Sequence, residues 1–460
     1  MRKEIQVGLI GFGTVGTGMA AILAERKTEI AGRLGAPLHL AQIADLDIKR
    51  KRSVKLQKNI LTQNVHDVLS NPKIDIVVEL IGGIHPAREF ILDAIAHGKH
   101  VVTANKALLA YHGEEIFKAA DEAGVEVGFE AAVGGGIPII RAMKEGLSGD
   151  KISAIFGIVN GTSNYILTQM SEEMTAFPEA LKEAQTLGYA ESDPTLDIGG
   201  GDSAHKLAIL AALAFGTPVP IKEIYTEGIA HITPLDIAYA EEFGYKMKLL
   251  AIAKRVAGSM EARVHPTMVP KETILAKVNG VFNAICVVGE SVGETLFYGR
   301  GAGLAPTGAA VVSDLIDIAR NIRQRAEANV TSPVGRGKYP NTVTSDKTNP
   351  FPSRVPHTGT LSAHRTILPI QPMEQIESRY YLRFMVEDQP GVLSKISGVL
   401  GRHHISIASV IQQRRKESSA VPLVMMTHRS REKDIQSALR TINQSEWVYK
   451  PTTLIRVEGE

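Results

Sequence analysis

Residues 201–215 read GDSAHKLAILAALAF and are apolar on every face beyond Lys206, the pattern of a buried helix. Asp202 and Lys206 are four residues apart and share one face of that helix, in line with Ile209 and Leu213. Charges in that position are costly to bury unless they pair with each other or with a ligand. A desolvated lysine has its pKa drawn toward neutrality, which suits proton transfer; a structural ion pair at the helix start is the bland alternative. His205 falls on another face and reads as structural. Just upstream, Gly188-Tyr189-Ala190-Glu191-Ser192-Asp193-Pro194 is a polar turn with carboxylates able to meet a substrate ammonium.

A second cluster stands at the start of the chain. Gly11-Phe12-Gly13-Thr14-Val15-Gly16 matches G-x-G-x-x-G between an apolar run, IQVGLI, and a helical pattern. In that context the first glycine permits a tight turn, the second lets backbone approach a pyrophosphate, and the third lets helix pack on strand. The helix N-terminus then offers unpaired N–H groups to an anion. A dinucleotide cofactor follows from this. Asp45 or Asp47 could bind the ribose 2′-hydroxyl of NAD, whereas Lys49, Arg50, Lys51 and Arg52 could hold the 2′-phosphate of NADP; the balance tips toward NADP. Lys106, in Thr103-Ala104-Asn105-Lys106, ends another apolar run, and ligands bind beyond the carboxyl ends of parallel strands. An exposed lysine at a helix start is its alternative. Gly82 and Gly83 would clear space in the same way.

These residues need a scaffold. Strand-like runs at 5–10, 38–44, 74–80, 99–104 and 125–130 alternate with helical stretches at 14–31, 86–97 and 112–122, the signature of a Rossmann-type, doubly wound parallel sheet. Beyond residue 134 the pattern becomes α+β. Helices are expected at 136–147, 178–187, 201–215 and 241–246, strands at 151–159, 247–255, 261–268 and 280–288, and a long helix at 307–327 that could return to the first domain. Residues 331–372 are rich in Pro, Gly, Ser, Thr and Asn and read as a linker. From Tyr380 a β-α-β-β-α-β order predicts a ferredoxin-like module. The domains expected are 1–133 for the dinucleotide, 134–328 for substrate and dimerisation, a linker over 329–377, and a terminal module at 378–460.

Composition narrows the class. The 460 residues are 44% hydrophobic and 22% charged, ordinary for a folded enzyme. Lys+Arg is 51 against Asp+Glu 49, which gives no sign of a nucleic-acid or membrane-surface binder. The one cysteine, Cys286, excludes an intramolecular disulfide framework and fits the cytoplasm. No apolar stretch has the roughly 20 residues of a membrane span. Arg2 and Lys3 before an apolar stretch imitate a leader, but recurrent glycines serve a turn better.

Taken together, GLIGFGTVG, ELIGG, VVTANKALLA, GGGIPII, GTSNYIL, LGYAESDPTLDIGGGDSAHK and GRGAGLAPTGAAVVSD resemble the homoserine dehydrogenase family, in its single-function form with a C-terminal ACT module. The resemblance implies interconversion of L-homoserine and L-aspartate 4-semialdehyde with NAD(P), on the route to threonine, isoleucine and methionine. It implies Lys206 as acid/base, Asp202 at the substrate hydroxyl, Glu191 at the substrate ammonium and Lys106 as a second essential lysine near nicotinamide and substrate. It also implies Gly188 and Gly303 beside the cofactor, and a monovalent cation, usually sodium, held by backbone oxygens of Glu130, Val133, Gly135 and Ile137. Asp388-Gln389-Pro390-Gly391-Val392-Leu393 matches the ACT turn where amino acids bind, so L-threonine is the expected effector and a homodimer or homotetramer the expected assembly. An oligomerising ACT module without an effector stands as the alternative there. For the whole chain the competitors are a non-catalytic sensor, which has no need of a buried acid–base pair, and an amino-acid dehydrogenase acting on a C–N bond.

Overall fold

A computed structural model describes residues 4–57, 59–331, 367–412 and 420–459; the linker expected at 329–377 falls mostly outside them. The described residues form two compact units.

The first takes in residues up to Gly146 together with 216–218 and 302–331. Its sheet has β1 (Ile5–Ile10), β2 (Leu38–Ala44), β3 (Leu61–Thr62), β4 (Ile76–Glu79), β5 (His100–Thr103) and β6 (Val127–Gly128). The order is β3-β2-β1-β4-β5-β6 and every pairing is parallel. Strands covered on both faces need continuous apolar runs, and Ile5, Val7, Leu9, Ile76 and Val78 have no exposed surface. The order reverses between β1 and β4, which opens the ligand crevice of such sheets.

Three sequence expectations change here. The helix expected at 14–31 is two, Thr14–Glu25 and Lys27–Leu34, parted at Arg26. The strand expected at 125–130 stops at Gly128, where a Cβ would lie 2.8 Å from Asp314 Cβ; Asp314 then takes the Glu130 N–H at 2.9 Å and turns the chain. The helix expected at 136–147 is one turn, Ile139–Arg141, continued as a π-type turn over Ala142–Gly146. The long helix runs Leu304–Thr331 and does return to this unit. Ala310, Val311, Leu315, Ile318 and Ala319 join the same core as Ile5, Val7 and Met19. Gly18 faces the Leu304 carbonyl and Gly308 faces Gly18, so two glycines let the long helix and the Thr14–Glu25 helix touch backbone to backbone.

The second unit takes in 147–215, 219–301 and the described residues from Ile367 onward. Its strands are β7 (Ile152–Ile158), β8 (Tyr225–Thr226), β9 (Tyr245–Val256), β10 (Ser259–Pro270), β11 (Phe282–Gly289) and β12 (Gly293–Arg300). The terminal module adds β13 (Glu377–Glu387), β14 (Ile407–Gln412), β15 (Ala420–Thr427), β16 (Ser430–Arg431) and β17 (Val448–Val457). They make one eleven-stranded sheet in the order β12-β11-β7-β9-β10-β17-β13-β15-β14, with β8 beside β10 and β16 beside β13. Within it β17-β13-β15-β14 and the helices Val392–Arg402 and Glu432–Asn443 form the ferredoxin-like module, packed around Tyr380, Phe384, Ile396, Leu400, Ile435 and Ile442. The parallel pairing of β17 with β10, Thr267 to Arg456 and Met268 to Val457, joins that module to the rest of the sheet.

The helix expected at 241–246 is displaced. A Thr233/Asp236 capping box and Pro234 start it at Pro234 and it ends at Glu242; Gly244, at φ +85°, then turns the chain into β9. The helix Gly161–Glu172 was not anticipated, although Asn160 caps it by accepting the Ser163 N–H at 2.7 Å. Among the described residues no helix is long and apolar enough to cross a membrane.

On β9, Lys248 is buried and donates to the Val278 carbonyl at 2.5 Å and Asn279 Oδ1 at 3.0 Å. Burial draws its pKa down to about 8. Below that value the folded state must hold a buried ammonium; between about 8 and the ordinary value near 10.5 the unfolded chain binds the extra proton, so stability rises with pH. Denaturant unfolding of Lys248→Met and wild type at pH 7.5 and 10 should show wild type gaining up to about 3 kcal/mol relative to the variant. An unchanged difference would mean that Lys248 is not desolvated.

Candidate functional site

The helix Gly201–Phe215 forms where the sequence places it, and both of its charges are buried, Asp202 at 4% and Lys206 at 8% exposure. Lys206 Nζ donates to Asp202 Oδ2 at 2.7 Å and to the Val159 carbonyl at 2.6 Å. Asn160 Nδ2 donates to Asp202 Oδ2 at 2.8 Å and to Asp197 Oδ1 at 2.7 Å, and the Ser163 hydroxyl donates to the Asp197 carbonyl at 3.0 Å. One carboxylate oxygen of Asp202 thus receives both an ammonium and an amide, which orients the lysine. Asn160 and Asp197 were missed in the sequence; the signal for Asn160 was an Asn directly before GTS at a strand end, a helix-cap pattern. The turn carrying Gly188 (φ +74°) and Glu191 is exposed. It is tied to the same segment, because the Thr162 hydroxyl donates to the Tyr189 carbonyl at 2.6 Å, and Gln185 donates to the Glu191 carbonyl at 3.1 Å.

In the first unit the glycine loop follows β1 as expected. Gly11 sits at φ +95° with a hypothetical Cβ 2.7 Å from the Leu80 backbone, and a Cβ on Gly16 would strike the Gly11 carbonyl. Gly13 has nothing within 4 Å of its Cβ position and caps the Thr14–Glu25 helix with no side-chain bond. The loop is closed beneath its first and third glycines and open above its second, the shape a diphosphate needs. Phe12 is buried, Val15 half-buried and Thr14 exposed. Gly303, at φ +127°, precedes the residue that packs on Gly18.

Asp45 sits at the end of β2 but is engaged below the loop. Its carboxylate accepts the Phe12 N–H at 2.5 Å and the Asp47 N–H at 2.7 Å, and it pairs with Arg52 at 3.2 Å. Arg52 also donates to the Phe12 carbonyl at 2.9 Å and covers the Phe12 ring. Of the basic run, Arg52 therefore braces the loop, while Lys49, Arg50 and Lys51 stay exposed.

At the end of β4, Glu79 is fully buried and takes the Ile81 N–H at 2.8 Å, the Gly82 N–H at 3.3 Å and the hydroxyl of Thr103, at the end of β5, at 2.7 Å. Burial raises its pKa despite those bonds. Asn105 caps the helix Lys106–Ala123 and donates to the Gly83 carbonyl at 2.6 Å. Lys106 thus stands, half-buried, on the first turn of a helix locked to the glycines after β4.

Glu130 is 5% exposed, and its carboxylate accepts the N–H groups of Ile140 and Arg141 at 2.8 and 2.9 Å. With the side chain so occupied, what it can offer a cation is its carbonyl. Gly134 (φ +74°) and Gly135 (φ +54°) curl the chain between Val133 and Ile137. Backbone oxygens on such a curl suit a hard monovalent ion. Among the described residues no group of three or more His, Cys, Asp or Glu is placed to hold a metal.

In the terminal module, Gly391 at φ +91° turns β13 into its helix. An open cavity of about 860 Å³ lies there, lined by Asp388, Gln389, Gly391, Val392, Gln412 and Leu423. Cys286 is buried and its pKa is pushed up to about 11 by burial, which makes it an inert core residue.

Comparison with known proteins gives the family to which the fold belongs. Residues 11–130 match the homoserine dehydrogenase NAD-binding domain, 138–316 the homoserine dehydrogenase domain and 380–446 the ACT domain. The homoserine dehydrogenase of Pseudomonas aeruginosa is 45% identical over 99% of both chains, and that of Neisseria gonorrhoeae 44% over 99% of both. The crystal structure of a homoserine dehydrogenase from Thiobacillus denitrificans superposes with a TM-score of 0.89 at 44% identity, covering 99% of this chain and 98% of that one. A hyperthermophilic archaeal homoserine dehydrogenase in complex with NADPH is 28% identical with a TM-score of 0.60, over 69% of this chain and 98% of that one. With a parallel-sheet nucleotide domain, a buried lysine–aspartate pair and a terminal ACT domain, the chain belongs to the homoserine dehydrogenase family of NAD(P)-binding oxidoreductases.

Proposed function

We propose that the chain interconverts L-homoserine and L-aspartate 4-semialdehyde, on the route to threonine, isoleucine and methionine, with Lys206 as the acid/base. The observation that carries this is the buried Lys206–Asp202 contact at 2.7 Å, with the lysine fixed by a carbonyl and the aspartate by Asn160. A nicotinamide cofactor held over Gly11 to Gly16 would supply the hydride chemistry at the substrate's C4. Lys206 in its neutral form accepts the 4-hydroxyl proton during oxidation, and as the ammonium returns it to the alkoxide during reduction. Asp202 holds the lysine and the hydroxyl, Glu191 takes the substrate ammonium, and Lys106 acts as the second essential lysine. Gly11 to Gly16, Gly188 and Gly303 receive the cofactor. Carbonyls of Glu130, Val133, Gly135 and Ile137 would hold sodium.

NADP is favoured over NAD, because Asp45 is spent on the loop amides and on Arg52 and three exposed cations follow it. The NADPH complex of the archaeal relative supports the same choice. L-Threonine is the effector we assign to the cavity at Asp388–Leu393, the assembly is a homodimer or homotetramer, and the single buried thiol suits the cytoplasm.

The test is near-ultraviolet absorbance of purified protein with L-homoserine and either NADP⁺ or NAD⁺, with and without L-threonine. NADP⁺ should be reduced faster, by about tenfold or more in kcat/KM, and threonine should slow the reaction. Equal rates would remove the NADP assignment. An unchanged rate with threonine, and no heat of binding, would leave the ACT domain an oligomerising element. No reduction of either cofactor by a protein that binds both would sink the reaction.

A further inference from the structure

We infer that Arg456, on the last strand of the ACT module, and Glu227 are positioning residues for the Lys206–Asp202 pair. The inference rests on the role proposed for Lys206 and adds residues outside the dehydrogenase motifs. Arg456 is 1% exposed. It grips Glu432 with two nitrogens, at 3.0 and 2.6 Å, so the ACT module fixes one side of its guanidinium. The remaining nitrogen, Nη1, leaves the module and donates to Glu227 Oε2 at 2.7 Å, and Nη2 also donates to the Tyr225 hydroxyl at 3.2 Å. Tyr225 in turn donates to the same Glu227 oxygen at 2.8 Å. A planar fork shared between two carboxylates sets both in place.

The segment held in this way underlies the catalytic helix. Gly228 lies so close to Ile198 and Gly199 that a Cβ would strike the Ile198 carbonyl, and the Ile229 N–H donates to that carbonyl at 2.9 Å. Gly200, at φ +85°, has its Cβ position 3.0 Å from Thr226 and 3.4 Å from the Glu227 carbonyl. The chain it turns joins Asp197 to Asp202, the two carboxylates that share Asn160. A shift of the 225–229 segment therefore moves the turn that spaces those two groups, because at Gly228 backbone meets the Ile198–Gly199 backbone directly. Displacement of a reacting group by about 1 Å can cost on the order of 10²-fold in rate.

A second tie between the ACT module and the remainder of the unit gives the control. Arg383 binds both oxygens of buried Asp236, at 2.6 and 3.0 Å, and also donates to Thr233 at 3.5 Å and Thr453 at 2.9 Å, away from residues 225–229. The full-length enzyme is compared as wild type, Glu227→Gln, Arg456→Lys and Arg383→Lys. For each, kcat and KM for homoserine oxidation, the Kd for NADPH by fluorescence and the Tm are measured. Glu227→Gln and Arg456→Lys should lower kcat by about 10- to 100-fold while the NADPH Kd changes by less than about twofold. Arg383→Lys should lower Tm and keep kcat within about twofold. Should Arg456→Lys fail to fold, Glu227→Gln, on a half-buried residue, decides alone. Wild-type kcat in a folded Glu227→Gln, or an equal loss in Arg383→Lys, overturns the inference. It does so without touching the proposed reaction, which stands as long as Lys206→Met is inactive; turnover in Lys206→Met overturns both.

Discussion

Lys206→Met should lower kcat for homoserine oxidation by about 10²- to 10⁴-fold, the range general acid–base groups supply, with the NADPH Kd unchanged. Methionine keeps the stem volume and removes the ammonium that donates to Asp202 and to the Val159 carbonyl. Asp202, at 4% exposure, loses the ammonium that its carboxylate faces and keeps the Asn160 amide, so Tm should fall as well, by an amount worth about 3 kcal/mol or less. The two effects separate by measurement: unfolding reports the loss of the ion pair, and stopped-flow turnover of the folded fraction reports the proton transfer. A folded variant with near-normal kcat would reduce the lysine to a structural ion pair.

Gly16→Ala should weaken NADPH binding by about tenfold or more and cost about 1–3 kcal/mol of stability, the usual toll of overpacking. Its Cβ would meet the Gly11 carbonyl, and relief requires either the loop or the Thr14–Glu25 helix to move away from β1. Gly13→Ala is the informative partner. That Cβ meets no protein atom within 4 Å, so Tm should hold while affinity falls, because the space it fills is the space assigned to the diphosphate. Loss of stability in Gly13→Ala, or full affinity in both variants, would contradict the placement of the cofactor over this loop.

The sites became legible to different depths for physical reasons. The Gly201–Phe215 helix could be read from the sequence because the run is apolar on every face beyond Lys206, which a buried helix satisfies. β1 and its loop were equally plain, since an apolar run followed by spaced glycines leaves little choice of backbone. The misreadings share another cause. β6 stops early because Asp314, far along the chain, occupies the space at Gly128 and captures the Glu130 N–H, which no local window contains. The helix at Pro234–Glu242 was misplaced although Thr233-Pro234 carried the start signal. Asp45 looked like a ribose ligand by position; only the fold brings Arg52 back across Phe12 to claim it. Asn160 and Asp197 became visible as site residues once the cap of one helix and the turn before another met at a single amide.

The parallel seam between β10 and β17 also sets an order of events. β17 is translated long after β10, so over Thr267 and Met268 the nascent β10 carries an edge without its partner until the final stretch of the chain arrives. Open edges are templates for unwanted pairing, and contacts so distant in sequence form slowly. The dehydrogenase half of this unit is thus finished only after synthesis. A chain cut between Thr331 and Ile367 would leave that edge bare and Arg263 without Glu458, a species expected to aggregate rather than to persist as an unregulated enzyme.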